Sequence, residues 1–213
     1  DRVDAQRTAS ETFGMSRPKQ IVFGDLHVHT TYSTDAFIAA LPMLGGEGAH
    51  PIADACDYAR YCSAIDFWSI TDHAEAATPR KWQATKEAIR QCNADAGDQS
   101  NPDLVAYIGF EWTQVGRIPE QHYGHKNVIF EGLGDDEVSR RAIAAQGAAF
   151  TGLRESNIIP PGIAFADWSN RQTYFDFTAF IKEVQETPLC EPGIASKDLP
   201  VDCVEVATTP ANL

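Results

Sequence analysis

Three apolar runs in this chain stop at a histidine or an acidic side chain. "QIVFGDLHVHT", "IDFWSITDH" and "LVAYIGFEW" are rich in β-branched and aromatic residues and read as strands. Between them lie the helical patterns "HPIADACDYARYCSA" and "TPRKWQATKEAIRQCNAD". In the second, Thr78 suits the N-cap and Pro79 the first helical position. A polar break, "AGDQSNPD", precedes the third strand. Farther on, "HKNVIFE" and "VDCVEVATT" read as strands, and "DDEVSRRAIAAQGAAF" and "TYFDFTAFIKEVQET" as helices. Strand-helix alternation predicts βαβ units with a parallel sheet. The stretches 112–125 and 150–170 lack periodicity, as functional loops often do. No domain boundary is evident, so residues 1–213 read as a single α/β domain.

The ends of those strands carry the chemistry. Side chains two apart on a strand share a face, so His27 and His29 project together, with Asp25 before them. Two imidazoles so placed can ligate one metal ion through nitrogen. Asp72 and His73 follow the second strand directly, and Glu111 closes the third run. Ligand sites of parallel α/β folds gather at the C-terminal ends of strands, and a carboxylate buried there needs a partner. His122 and His125 precede the fifth strand. His125 abuts the strand and is the expected ligand, while His122 is read as a neighbouring, substrate or surface residue. His50 begins a helix and reads as structural or exposed. Arg80, Arg117 and Lys126 are the cations nearest in sequence that could grip a phosphate, and ordinary surface charge is the simpler reading of each. No P-loop or G-x-S-x-G motif occurs.

The combination "GDLHVHTTYSTDA", "TDH" and "GFEW" resembles the PHP (polymerase and histidinol phosphatase) superfamily of metal-dependent phosphoesterases. With "HAEAATPRKWQ" and "HKNVIF" it is most similar to the DUF3604 family. The resemblance implies a distorted TIM-like (β/α)7 barrel with up to three divalent ions, zinc, manganese or iron, at its strand ends. It implies that His27 and His29 bind one ion, that Glu111 bridges two, and that His125 serves the second. Asp35, six residues after His29, would bind the third with His73. Glu111 and Asp72 are the expected catalytic residues, Asp72 by orienting its neighbours, with Asp25 in a similar part. Members of the superfamily carry later histidines, whereas no histidine follows His125 here. A chain truncated at its C-terminus, with an incomplete barrel and a missing remainder as partner, is therefore expected. Such a piece could be inactive alone.

The resulting expectation is hydrolysis of a small-molecule substrate, a phosphate ester, by metal-activated water. An amidohydrolase-like metal-dependent hydrolase and a non-catalytic metal-binding module are the alternatives. The formal net charge of −13 opposes nucleic-acid binding, and no apolar run reaches the ~20 residues of a membrane span. Five cysteines without a C-x-x-C pair argue against a zinc ribbon. Cys190 and Cys203 bracket a Pro- and Gly-containing loop that a disulfide could close. Cys62 and Cys92, each near the end of an expected helix, could also pair, leaving an odd thiol. Disulfides favour a periplasmic or secreted protein, and free thiols a cytoplasmic one.

Overall fold

The computed structural model describes residues 2–14, 21–98, 100, 102–155 and 162–213. Gln20 of the first expected strand, Gln99 and Asn101 of the polar break, and 156–161 of the second long loop lie outside these. Helices α1 (Arg2–Thr12), α2 (Thr34–Ala39), α3 (Ile52–Asp57), α4 (Pro79–Ala94), α5 (Ala148–Glu155), α6 (Ile163–Ala166) and α7 (Arg171–Glu186) surround short strands. The strands are β1 (Gly24–Val28), β2 (Phe67–Ile70), β3 (Val105–Tyr107), β4 (Gly109–Gln114), β5 (Gly124–Ile129), β6 (Ile143–Ala145) and β7 (Glu205–Ala207).

The strands form small sheets. β1, β2 and β3 are parallel in that order, β4 and β5 form an antiparallel pair, and β6 pairs with β7 in parallel. The expected (β/α)7 barrel is therefore wrong for the described residues: the fold is mixed α/β and does not close. Closure needs every strand paired on both edges. Among the described residues β1 pairs only with β2, and Phe23 just before it and Leu26 within it are exposed. β5 also runs against β4, because the link 115–123 is shorter than the dozen or so residues of a parallel crossover.

Local chemistry explains the elements that matter to the site. Thr78 caps α4, its hydroxyl accepting from the Lys81 amide, as the sequence predicts. α4 buries Trp82, Ile89 and Cys92, which join Trp68, Ile70, Ile108, Phe110 and Trp112 in the main core. α7 buries Tyr174, Phe177, Ile181 and Val184 at helical spacing, and with Phe37 they form a second core. The helix expected from "DDEVSRRAIAAQGAAF" is largely replaced by turns and β6, and α5 starts only at Ala148. Tertiary contacts override propensity there: Arg141 is buried against the Glu205 carboxylate and the Pro200 carbonyl. That anchors the segment beside β7.

Two disulfides occur, Cys56–Cys92 and Cys190–Cys203, and Cys62 is free and exposed. The second matches expectation. The first corrects the Cys62–Cys92 pairing: Cys56 sits on the buried face of α3 toward α4, whereas Cys62 ends a π-helical turn over Tyr58–Cys62.

Candidate metal centre

The floor of the site is Glu111, fully buried in the middle of β4. Its backbone N–H donates to the Asp72 carbonyl (3.1 Å), and it forms a parallel bridge with His73, joining β4 to the end of β2. β1 brings in His27 and His29 from the same face, as the two-residue period requires. Their Nε2 atoms lie 3.0 and 2.8 Å from Glu111 Oε2, and 3.0 Å from each other. From β5, His125 Nδ1 meets Glu111 Oε1. The Thr113 hydroxyl lies 3.0 Å from Glu111 Oε1, 2.9 Å from His73 Nδ1 and 3.3 Å from His125 Nδ1.

Asp35 belongs to the same cluster. It stands in the first turn of α2, 3.4 Å from His29 Nδ1 and 3.5 Å from His73 Nε2. Ser33 fixes it by donating to its carboxylate (2.7 Å) while accepting from the His73 amide (3.1 Å). Three overlapping triads result, His27–His29–Glu111, His29–Asp35–His73 and His73–Glu111–His125. Imidazole nitrogens and carboxylate oxygens sharing corners suit zinc, manganese or iron. His27, Asp35 and His125 are the exposed members, so the cluster opens to solvent beside them.

Other expected residues fall into place around it or outside it. Asp72 is buried and accepts from the Thr30 amide (2.6 Å) and hydroxyl (2.7 Å), which holds the turn after β1. Asp25 accepts from the His27 amide (2.9 Å). His122 sits in the exposed loop before β5 and joins none of the triads. Arg117 is exposed beside a separate cavity of about 400 Å³ that Gln114 and Gln146 also line. Arg80 is paired with Glu183, and Lys126 donates to the Tyr123 carbonyl, so both have partners away from the triads. Sequence reasoning missed Thr113 and Glu75. Thr113 lies two after Glu111 on the same strand face, a period that could have found it. Glu75 accepts from the Thr113 (3.1 Å) and Ala145 (2.9 Å) amides and so ties β4 to β6.

Electrostatics follow from this crowding. Burial opposes a charged His29, but hydrogen bonds to Asp35 and Glu111 prevail and raise its pKa to about 10. His73 is raised likewise, burial again being outweighed by Asp35 and Glu111. Burial pushes Glu111 up, yet His29, His73 and His125 hold it down at about 2. Asp35 stays far below the usual carboxylate range for the same reason. Burial raises Asp72 to about 6. Behind the site, burial lowers Lys81, stacked 3.4 Å above the Phe180 ring, to about 7.

These shifts set an alkaline stability profile. Without metal, the folded chain keeps the His29 proton that the unfolded chain loses near pH 6.5, so stability falls as pH rises toward 10. Lys81 acts oppositely: the folded chain loses its proton near 7 and the unfolded chain near 10.5, so stability rises over that window. In metal-stripped protein the two contributions offset each other. Urea unfolding from pH 7 to 10 is expected to show stability falling more steeply than in the wild type for Lys81→Met, and falling less steeply or rising for His29→Gln, in which the raised His73 still opposes Lys81. Parallel profiles for the two variants contradict these assignments.

A family described as "Protein of unknown function (DUF3604)" matches residues 16–88, which include His27, His29, Asp35, Asp72 and His73 but not Glu111 or His125. No curated protein and no solved structure matches the chain significantly.

Proposed function

We propose that this cluster is a multinuclear divalent-metal centre of a hydrolase acting on phosphate esters, as the resemblance to the PHP superfamily implies. The observation that carries the reading is the buried Glu111 carboxylate with His27, His29 and His125 converging on its two oxygens. A buried carboxylate with this many imidazoles is costly as a mere structural device and apt as a ligand set. His27, His29 and Glu111 would hold one ion, His73, Glu111 and His125 a second, and His29, Asp35 and His73 a third. Bound ions would supply Lewis-acid activation of water and neutralisation of developing charge.

The chain's own groups set that stage. Thr113 orients Glu111, His73 and His125 through one hydroxyl. Asp72 fixes the turn that carries Thr30 and so the approach of His29. Ser33 ties Asp35 to the His73 backbone. Such partners hold ligands in register for an ion. The two disulfides support placing the chain in an oxidising compartment, periplasmic or secreted. Among the described residues no helix is long and apolar enough to cross a membrane.

The test is hydrolysis of phosphate monoesters, phosphate diesters and amides by protein reconstituted with zinc, manganese or iron. Ester turnover that chelation abolishes and metal restores is expected. Turnover confined to amides, or stoichiometric metal without turnover, contradicts the reading and favours respectively an amidohydrolase or a metal-binding module.

A further inference from the structure

Beside the metal cluster a cleft of about 470 Å³ runs between β1 and the α3 segment, within the range of small-molecule sites. Its floor is apolar, with Ala55, Ala59, Ile65 and Trp68. Ala55 and Ala59 lie one helical turn apart on one face, and their small side chains leave the space open. Ring-bearing side chains complete it: His29, which also belongs to the metal cluster, His50 and Tyr58. Asp54 holds the His50 ring at 3.2 Å. The buried Trp68 indole N–H has no hydrogen-bond partner.

The backbone bordering this cleft is irregular. Tyr58–Cys62 form a π-helical turn, and Ala64 adopts φ 50°, the one non-glycine residue at positive φ among the described residues. Such departures carry a cost and cluster at functional sites. Here they displace the end of the helix beside Ser63 and Ile65, which line the cleft.

We propose that this cleft is the subsite for the organic group of the substrate, and that this group is an aromatic ring, making the substrate an aryl phosphate ester. The assignment rests on the phosphoesterase reading for the phosphate end only. His29 belongs both to the metal cluster and to the lining of the cleft, which makes the cleft the pocket adjoining a phosphate held at the metal centre. An apolar floor edged by the Tyr58 phenol and the His50 imidazole favours a flat ring through burial and edge contacts.

Calorimetry on the metal-loaded full chain with phenylphosphonate and methylphosphonate tests this. Burial of a ring predicts phenylphosphonate binding at least about tenfold tighter. Ala55→Trp, which fills the cleft, is expected to bring that ratio near unity, and His50→Ala, at an exposed position, to reduce it. Equal affinity for the two phosphonates, with either variant silent, overturns the subsite while leaving the phosphoesterase reading intact. Benzyl alcohol titrated into metal-stripped protein, followed by tryptophan fluorescence, reads the cleft alone. If it binds the wild type and not Ala55→Trp while neither phosphonate binds, the cleft stands and the phosphoesterase reading fails.

Discussion

Glu111→Gln is expected to abolish metal-dependent turnover while leaving the fold in place. Glutamine keeps the shape and one acceptor, but removes the charge that His27, His29 and His125 share. Loss of an outer partner alone costs about 10–100-fold in metal affinity or activity, so loss of the shared ligand should exceed about 100-fold in kcat/KM. Retention of the far-ultraviolet spectrum and of cooperative unfolding separates this from misfolding. Thr113→Val, which removes the hydroxyl touching three cluster members, should fall between the wild type and Glu111→Gln. Wild-type turnover in Glu111→Gln contradicts the placement of the centre.

Removal of the Cys56–Cys92 bridge is the largest stability effect expected. It closes a loop spanning 36 residues, for which the chain-entropy account gives roughly 4 kcal/mol. For a chain of 213 residues that corresponds to a fall in Tm of roughly 10 °C. Cys56→Ala combined with Cys92→Ala should show it in calorimetry, and reductant should shift the wild type but not the double variant in this respect. The Cys190–Cys203 bridge spans 13 residues and should matter less. Equal midpoints for wild type and double variant contradict a structural role. The consequence reaches the site, because α3 carries Ala55 of the cleft and is stapled to α4 through this bond.

Much of the centre was legible because strand geometry is local. His27 and His29 share a face by the two-residue period, and His73 and Glu111 follow apolar runs directly, so their convergence needed only parallel neighbours. Asp35 was different: nothing in its spacing places it near His73, and only the family resemblance suggested it. The turn 30–33, fixed by Asp72 and Ser33, brings it there. The barrel that the family resemblance implies does not form among the described residues, and the sheet read from strand-helix alternation is only partly parallel, because alternation does not reveal strand direction. The short link 115–123 turns β5 back on β4, and β6 forms where propensity favours helix because the buried Arg141 finds acceptors on the distant segment 196–205. Cys62 and Cys92 each lie near the end of an expected helix, which suggests their pairing, and the π turn that leaves Cys62 exposed has no sequence signature.

The central claim is that these histidines and carboxylates hold metal together. Equilibrium dialysis of metal-stripped protein against zinc or manganese, with elemental analysis of the ions bound per chain, tests it most directly. The account predicts more than one ion per chain, with a marked loss in a His27→Ala, His29→Ala double variant and a greater one in Glu111→Gln. Absence of stoichiometric binding, or binding that those variants leave untouched, contradicts it.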